Sequence, residues 1–571
     1  MSFVKPKEAS VMPPSPVERG GELRSLTGVR GIAALNVAMA HFELPAFAAF
    51  NGLFFWHNLA VDLFFCLSGF TLALVYERQE PTFANWRLYA TARFARIYPL
   101  YLATLLWSAL VSFPVGSQYP LERAWTDFLA QLALVNSWPI IGTGVHWDFP
   151  AWSISVEFFC YLFIFPLLWR FRPAPKGLAA VAVLFACSLT AYFFFTRYLD
   201  WRIYDPKIYQ APNRIAYSVN VVRAVAGFVS GWISYNIYNG GGGLNAICSR
   251  YADIITGAMC FIILYGYYNK DILCNNYLLF LFPIFIIGLA NERSATSAFL
   301  SKPLVHALGI YSYSIYLVNR PLMDTIDRIM FEYSITLSPI GYASILIVSL
   351  VALSAFIYHF FETPWRNLLR RLLAPSPSRA QRGRTIGWLR DGWFAWPVST
   401  GLLATAVVFA AKVHWAVGPD RELATRYAYF QVFKEGWGAF EGTYIWAIGR
   451  NSVIDIHLPA TPPATRLIMR GRAFVTVAHP TATTSISING SPAAAIQASL
   501  EAPSFAQEFD LPGGVTTLRI VLGTDSPASP KSLGLSGDAR ELSISLESLQ
   551  VRTIQGEDKA EPASARETRS Q

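Results

Sequence analysis

Leu26-Thr27-Gly28-Val29-Arg30-Gly31-Ile32-Ala33-Ala34-Leu35-Asn36-Val37-Ala38-Met39-Ala40-His41 is the first apolar run of the chain, and it holds an arginine and a histidine eleven positions apart. At about 100° per residue that interval is roughly three turns plus 20°, so both side chains share one helical face. At about 1.5 Å of rise per residue they stand ~16 Å apart, half the thickness of a bilayer core. An ionisable group at that depth is costly and marks a pathway or a reacting site. The plainer alternative is a histidine hydrogen-bonded within a bundle above an arginine that anchors the helix end.

The whole chain shares this character. Its 571 residues are 53% hydrophobic and 15% aromatic, with mean hydropathy +0.35, and the apolar residues come in runs long enough to span a membrane. The net charge of +9 does not indicate a nucleic-acid partner, because the basic residues flank hydrophobic runs and act as topology signals. The six cysteines (Cys66, Cys160, Cys187, Cys248, Cys260, Cys274) lie in or beside apolar segments without metal-ligand spacing, so neither disulfides nor a metal site is expected.

Apolar segments recur at about 26–43, 59–77, 95–114, 152–170, 177–196, 219–239, 252–268, 273–290, 304–323 and 340–361. A shorter one, 124–138, suits a re-entrant or interfacial helix. The expected fold is a polytopic all-α membrane protein: ten helices within 25–370, a basic linker 371–391, and an eleventh transmembrane helix at 392–413. Loop charge favours a cytoplasmic N-terminus by about three to one, which makes the polar segment 1–24 a disordered cytoplasmic tail and places residues 414 onward outside. That exported part reads as a soluble all-β sandwich-like domain over 414–553, followed by a disordered tail 554–571. Its strands are expected at Thr443–Ile448, Ser452–Leu458, Thr465–Met469, Ala473–Ala478, Thr484–Ile488, Phe505–Leu511, Val515–Leu522 and Leu542–Val551, with turns at Asn489-Gly490 and Pro512-Gly513-Gly514. Trp437, Tyr444 and Trp446 either stack on sugars or fill the sandwich core.

Depth along the helices selects candidates. His41 lies roughly 22 Å from the cytoplasmic end of the first span, some 8 Å below the outer surface. Glu157, in Trp152-Ser153-Ile154-Ser155-Val156-Glu157, reaches a similar depth if its span starts at Trp152. The two are therefore expected to pair, either to raise the basicity of the imidazole or as an interhelical hydrogen bond. Asp62 enters the second span about 5 Å below the same surface, where it orients an acceptor or caps the helix. Arg30, Arg93 and Arg96 gather at the cytoplasmic mouth; positive-inside charge explains each alone, and together they suit a phosphate-rich ligand. There is no GxGxxG or Walker sequence.

The run from Leu26 to His41 resembles the opening of the membrane-bound acyltransferase 3 family, with its Arg-x10-His motif. So do Asp62-Leu63-Phe64-Phe65-Cys66-Leu67-Ser68-Gly69-Phe70, the stretches Arg93 to Pro99 and Trp152 to Tyr161, Leu308 to Leu317, and Phe361-Glu362-Thr363-Pro364. The resemblance covers about residues 22–370, in order. It implies an integral-membrane O-acyltransferase of the inner (plasma) membrane that uses acyl-CoA, chiefly acetyl-CoA, and modifies an exported or surface polysaccharide, oligosaccharide or glycolipid. On this basis His41 and Glu157 are catalytic candidates. Arg30, Arg93 and Arg96 bind the donor, and Asp62, Ser68, Trp152 and Ser155 bind substrate. Two departures stand out. Where many members read Tyr-Leu-x-His, this chain has Tyr316-Leu317-Val318-Asn319, so no role for that histidine carries over. The Gly-Asp-Ser and Asp-x-x-His motifs of SGNH hydrolase-like extensions are absent after residue 414. The competing reading is a transporter or flippase for a glycan or lipid; the chain has no internal repeat of the transporter kind.

Overall fold

The computed structural model describes residues 22–42, 53–54, 56–112, 121–139, 147–171, 174–198, 214–269, 272–332, 337–373, 421–423, 432–441, 444–458, 464–535, 538 and 540–554. Both expected disordered tails lie almost wholly outside these residues; so does most of the basic linker, and the eleventh helix lies entirely outside them.

Helix covers each of the ten expected segments. The elements are α1 (Arg24–Phe42), α2 (His57–Tyr76), α3 (Phe83–Ser112), α4 (Leu121–Leu132), α5 (Ala151–Phe159), α6 (Phe165–Arg170), α7 (Gly177–Tyr198), α8 (Arg214–Gly240), α9 (Gly242–Arg250), α10 (Ala252–Tyr268), α11 (Leu278–Ala290), α12 (Ala295–Leu300), α13 (Pro303–Ile310), α14 (Ser312–Glu332), α15 (Pro339–Ile357) and α16 (Thr363–Leu373). Among the described residues, five stretches are long and apolar enough to cross a membrane: His57–Tyr76, Phe83–Val111, Ala151–Arg170, Gly177–Thr196 and Pro339–Leu373. A sixth follows if the pair α9–α10, bent by 60°, is one span. The count therefore falls short of ten for a physical reason. Polar groups break the apolarity of α1 (Arg30, His41), α8 (Asn220, Arg223) and α14 (Asn319, Arg320, Asp324), and the apolar helix Cys274–Ala290 is shorter than a span. The outer faces of α7, α10 and α15 expose Phe185, Leu189, Ile254, Phe261 and Val348, as lipid-facing helices do.

Small residues set the closest packing. A Cβ on Gly28 would lie 2.1 Å from the Leu300 carbonyl oxygen, and one on Gly309 only 1.9 Å from that of Thr27; α1 therefore touches α12 and α13 backbone to backbone. Gly69 and Gly231 do the same for α2 and α8, against the carbonyl oxygens of Phe228 and Cys66. Two π-helical turns, Cys160–Ile164 and Tyr358–Glu362, join α5 to α6 and α15 to α16.

The C-terminal unit has two antiparallel sheets. One orders β2 (Trp437–Glu441), β3 (Tyr444–Ile448), β10 (Leu542–Thr553), β5 (Thr465–Ala473) and β8 (Ser504–Leu511), with β1 (Arg421–Glu422) beside β10; the other orders β4 (Asn451–His457), β9 (Thr517–Thr524), β6 (Thr481–Ile488) and β7 (Ser491–Ser499). Ile445, Met469 and Leu546 of the first sheet share one core with Ile456, Ile486 and Ile520 of the second, the expected sandwich. The segment Ala473–Ala478 is not a strand: Thr476 and His479 close a tight turn there, exchanging backbone hydrogen bonds of 2.8 and 3.0 Å. Trp437 belongs to the core and donates its indole N–H to the Val453 carbonyl, whereas Tyr444 and Trp446 are half-buried and stand edge to face.

Candidate active site

α2 is the ruler for the bundle. Its first residue, His57, lies beside His41, the ring centroids 6.2 Å apart. Ser68, ~16 Å further along the axis, donates its hydroxyl to Glu157 Oε1. Arg30 sits the same ~16 Å from His41 on α1. The polar groups thus form two levels, one around His41 and one around Arg30.

At the His41 level, Nδ1 meets Asn319 Oδ1 at 2.8 Å, and the ring packs edge-on against Phe149, 5.4 Å between centroids. His57 donates from Nδ1 to the Phe54 carbonyl at 3.0 Å. Nearby on α14, the Tyr316 hydroxyl shares a 2.7 Å hydrogen bond with Ser153 Oγ.

At the Arg30 level, guanidiniums predominate. Arg93 lies over the rings of Tyr76 (5.7 Å) and Tyr161 (6.0 Å). Arg96 pairs with Glu362 at 2.6 Å and covers Tyr313 at 5.6 Å. Glu362 also accepts from Ser314 Oγ at 2.9 Å and lies 3.7 Å from Arg366. Arg30 is within electrostatic reach of Glu157, Arg93 and Arg96, and Arg370 of Arg93, Arg96 and Arg366. Among the described residues, five guanidiniums therefore share this level with two carboxylates, and the Nε atoms of Arg30, Arg93 and Arg370 are enclosed with no hydrogen-bond partner. Glu362 falls in one π turn, and Tyr161, which donates its hydroxyl to Glu157 at 2.6 Å, in the other. Such turns recur at functional sites because they re-aim side chains out of the 3.6-residue phase.

This geometry corrects several expectations. Glu157 does not pair with His41; it belongs to the arginine level. Glu157 sits deeper than a span starting at the surface would put it, because α5 begins beneath a buried turn: Asn136, Ser137 and Asp148 are fully buried. Ser155 ties that turn down, accepting from the Ser137 N–H and donating to the Leu134 carbonyl, which is a structural task. Asp62 neither caps α2, which begins five residues earlier at His57, nor faces an open acceptor site. It forms an ion pair with Arg223 of α8 at 2.5 Å, the side chains 3% and 1% exposed. Arg223 also donates to Asn220 at 2.8 Å and lies 4.6 Å from the Phe195 ring and 5.9 Å from that of Trp152. Trp152 is thus a wall of this ion pair, and Ser68 is a partner of Glu157.

Sequence alone assigns no site role to Asn319, His57, Arg223, Glu362, Arg366 or Arg370. Glu362 had a signal in Phe361-Glu362-Thr363-Pro364. Arg366 and Arg370, one turn apart on α16, read as positive-inside charge until α16 is seen to pack against α3.

Taken together, these features define an integral-membrane helical bundle with a histidine ~16 Å from an arginine-rich level. The family described as an acyltransferase domain, acyltransferase 3, matches residues 23–359, and the chain belongs to that family. Among curated proteins it is similar to acyltransferase MdmB of Streptomyces mycarofaciens, 38% identical over 170 residues, covering 28% of this chain and 41% of that protein. It is also similar to protein 2 in the picA locus of Rhizobium radiobacter, 42% identical over 87 residues, covering 14% and 40%. The matches thus span about two fifths of each relative's length. No solved structure matches the chain.

Proposed function

We propose that this acyltransferase moves an acyl group, in the simplest case acetyl, from acyl-CoA to a hydroxyl of a glycan or glycolipid on the far side of the membrane. The observation that carries the reading is the two-level arrangement. A half-buried excess of guanidinium, three of whose Nε atoms have no partner among the described residues, suits the phosphates of the donor, and it lies one pantetheine-scale distance, ~16 Å, from a histidine. In that reading the N-terminal end of α1 faces the cytoplasm, in keeping with the loop charges, and the acceptor enters at the His41 end.

His41 Nε2 takes the hydroxyl proton as the acceptor oxygen attacks the thioester carbonyl. The new C–O bond forms as the C–S bond breaks, and CoA leaves as a thiolate that receives the proton from the imidazolium. Acyl transfer to His41 itself, followed by attack of the hydroxyl, gives the same products. Glu157 and Glu362 serve by orienting the arginines, not by assisting His41.

Donor kinetics of the purified protein test the chamber. Arg93→Ala and Arg370→Ala are expected to raise the KM for acetyl-CoA by the equivalent of about 1–3 kcal/mol, with a smaller effect on kcat, because both lie far from the reacting carbonyl. An unchanged donor KM with a collapsed kcat would remove the chamber from donor binding.

A further inference from the structure

We propose that Asn319 is a positioning residue that fixes which nitrogen of His41 acts as the base. The proposal rests on the reading of His41 as the group that takes the hydroxyl proton. Asn319 lies on α14 with no exposed surface. Its Nδ2 donates back along the helix to two backbone carbonyls, Tyr316 at 2.6 Å and Ile315 at 3.2 Å. Carbonyl oxygens only accept, so both hydrogens of the amide are committed and its orientation is determined. The atom left facing His41 Nδ1 at 2.8 Å is therefore Oδ1, an acceptor. A hydrogen bond between them requires Nδ1 to carry the proton, and the neutral imidazole then holds its lone pair on Nε2.

The consequence is specific to this chain. A carboxylate in Asn319's place would add charge at the imidazole, and a second histidine would leave its tautomer open. The neutral amide, clamped by its own helix, fixes the tautomer and the ring plane without adding charge. Phe149 closes one edge of the same ring. The residue that departs from the Tyr-Leu-x-His pattern thus holds the orientation of the base.

Steady-state kinetics on the full-length protein in detergent, with acetyl-CoA and a glycan and lipid extract of the host envelope as acceptor, separate this role from packing. Asn319→Leu keeps the volume but removes the acceptor atom; it should lower kcat about 100-fold or more, the scale of a general base's contribution, with both KM values near wild type. Asn319→Asp keeps an oxygen for Nδ1–H but loses the two donations to Tyr316 and Ile315 and adds a charge, so it should recover only part of that kcat. His41→Ala, assayed beside them, tests the underlying reading. An inactive His41→Ala with fully active Asn319→Leu would overturn the positioning role alone, whereas an active His41→Ala would overturn the function. If Asn319→Asp were as impaired as Asn319→Leu although equally well folded, or if Asn319→Leu raised KM and left kcat intact, Asn319 would be a packing or binding residue and the proposal would fail.

Discussion

Asp62 and Arg223 hold each other across α2 and α8 in a setting where neither charge reaches water. Removing one partner of such a pair strands the other in a low-dielectric interior, at a cost of about 3–5 kcal/mol, whereas replacing both by apolar residues of similar size is often neutral. Asp62→Asn should therefore lower the thermal stability of the detergent-solubilised protein sharply, and Asp62→Leu with Arg223→Met should restore most of it. A stable Asp62→Asn protein that fails only in acceptor binding would return Asp62 to the substrate site. The residue scale is also where sequence reading had the least purchase. Arg30 and His41 could be aligned because they share one helix of known rise. Asp62 and Arg223 are 161 positions apart, and nothing in either segment alone names the other. Asn319 registered only as a missing histidine, since an amide's role depends on which acceptors lie around it.

Among the elements, α1 is located by contacts that leave no room for a side chain. Its backbone meets α13 at Gly309 and α12 at Gly28, and this registers His41 against Asn319 of α14. Gly309→Ala must push the helices apart, a change that costs about 1–3 kcal/mol in a well-packed core, so both the melting temperature and kcat should fall. Gly257→Ala in α10 is the control: its Cβ would meet nothing within 4 Å, and the better helix former should leave stability equal or slightly raised. Equal behaviour of the two variants would mean that α1 is not registered by these contacts. Helices were legible because each apolar run has the length of a span, and the sandwich because β-branched residues alternate between turns. Asn489-Gly490 is the β6–β7 hairpin turn, both residues at positive φ (50° and 83°), as that dipeptide implies. The second strand of that hairpin, Ser491–Ser499, has almost no sequence signal, because Ser-Pro-Ala-Ala-Ala-Ile-Gln-Ala-Ser carries a single β-branched apolar residue. The depth of α5 is not legible in the sequence, because hydropathy does not show that the preceding turn folds inward.

On the scale of the whole molecule, a lipid-facing helical bundle encloses two polar levels joined by α1 and α2, and that separation gives the chain its proposed chemistry. A cationic chamber without the histidine would only bind; a buried histidine without the chamber would have no donor. The central claim is acyl transfer through His41. The direct measurement incubates purified protein with acetyl-CoA labelled in the acetyl group and the host's envelope glycans and lipids, then quantifies alkali-labile label on the acceptors for wild type and His41→Ala. The account predicts ester-linked label with the wild-type protein, matched by release of free CoA thiol, and none above background with a folded His41→Ala. Transfer by His41→Ala at the wild-type rate would contradict it.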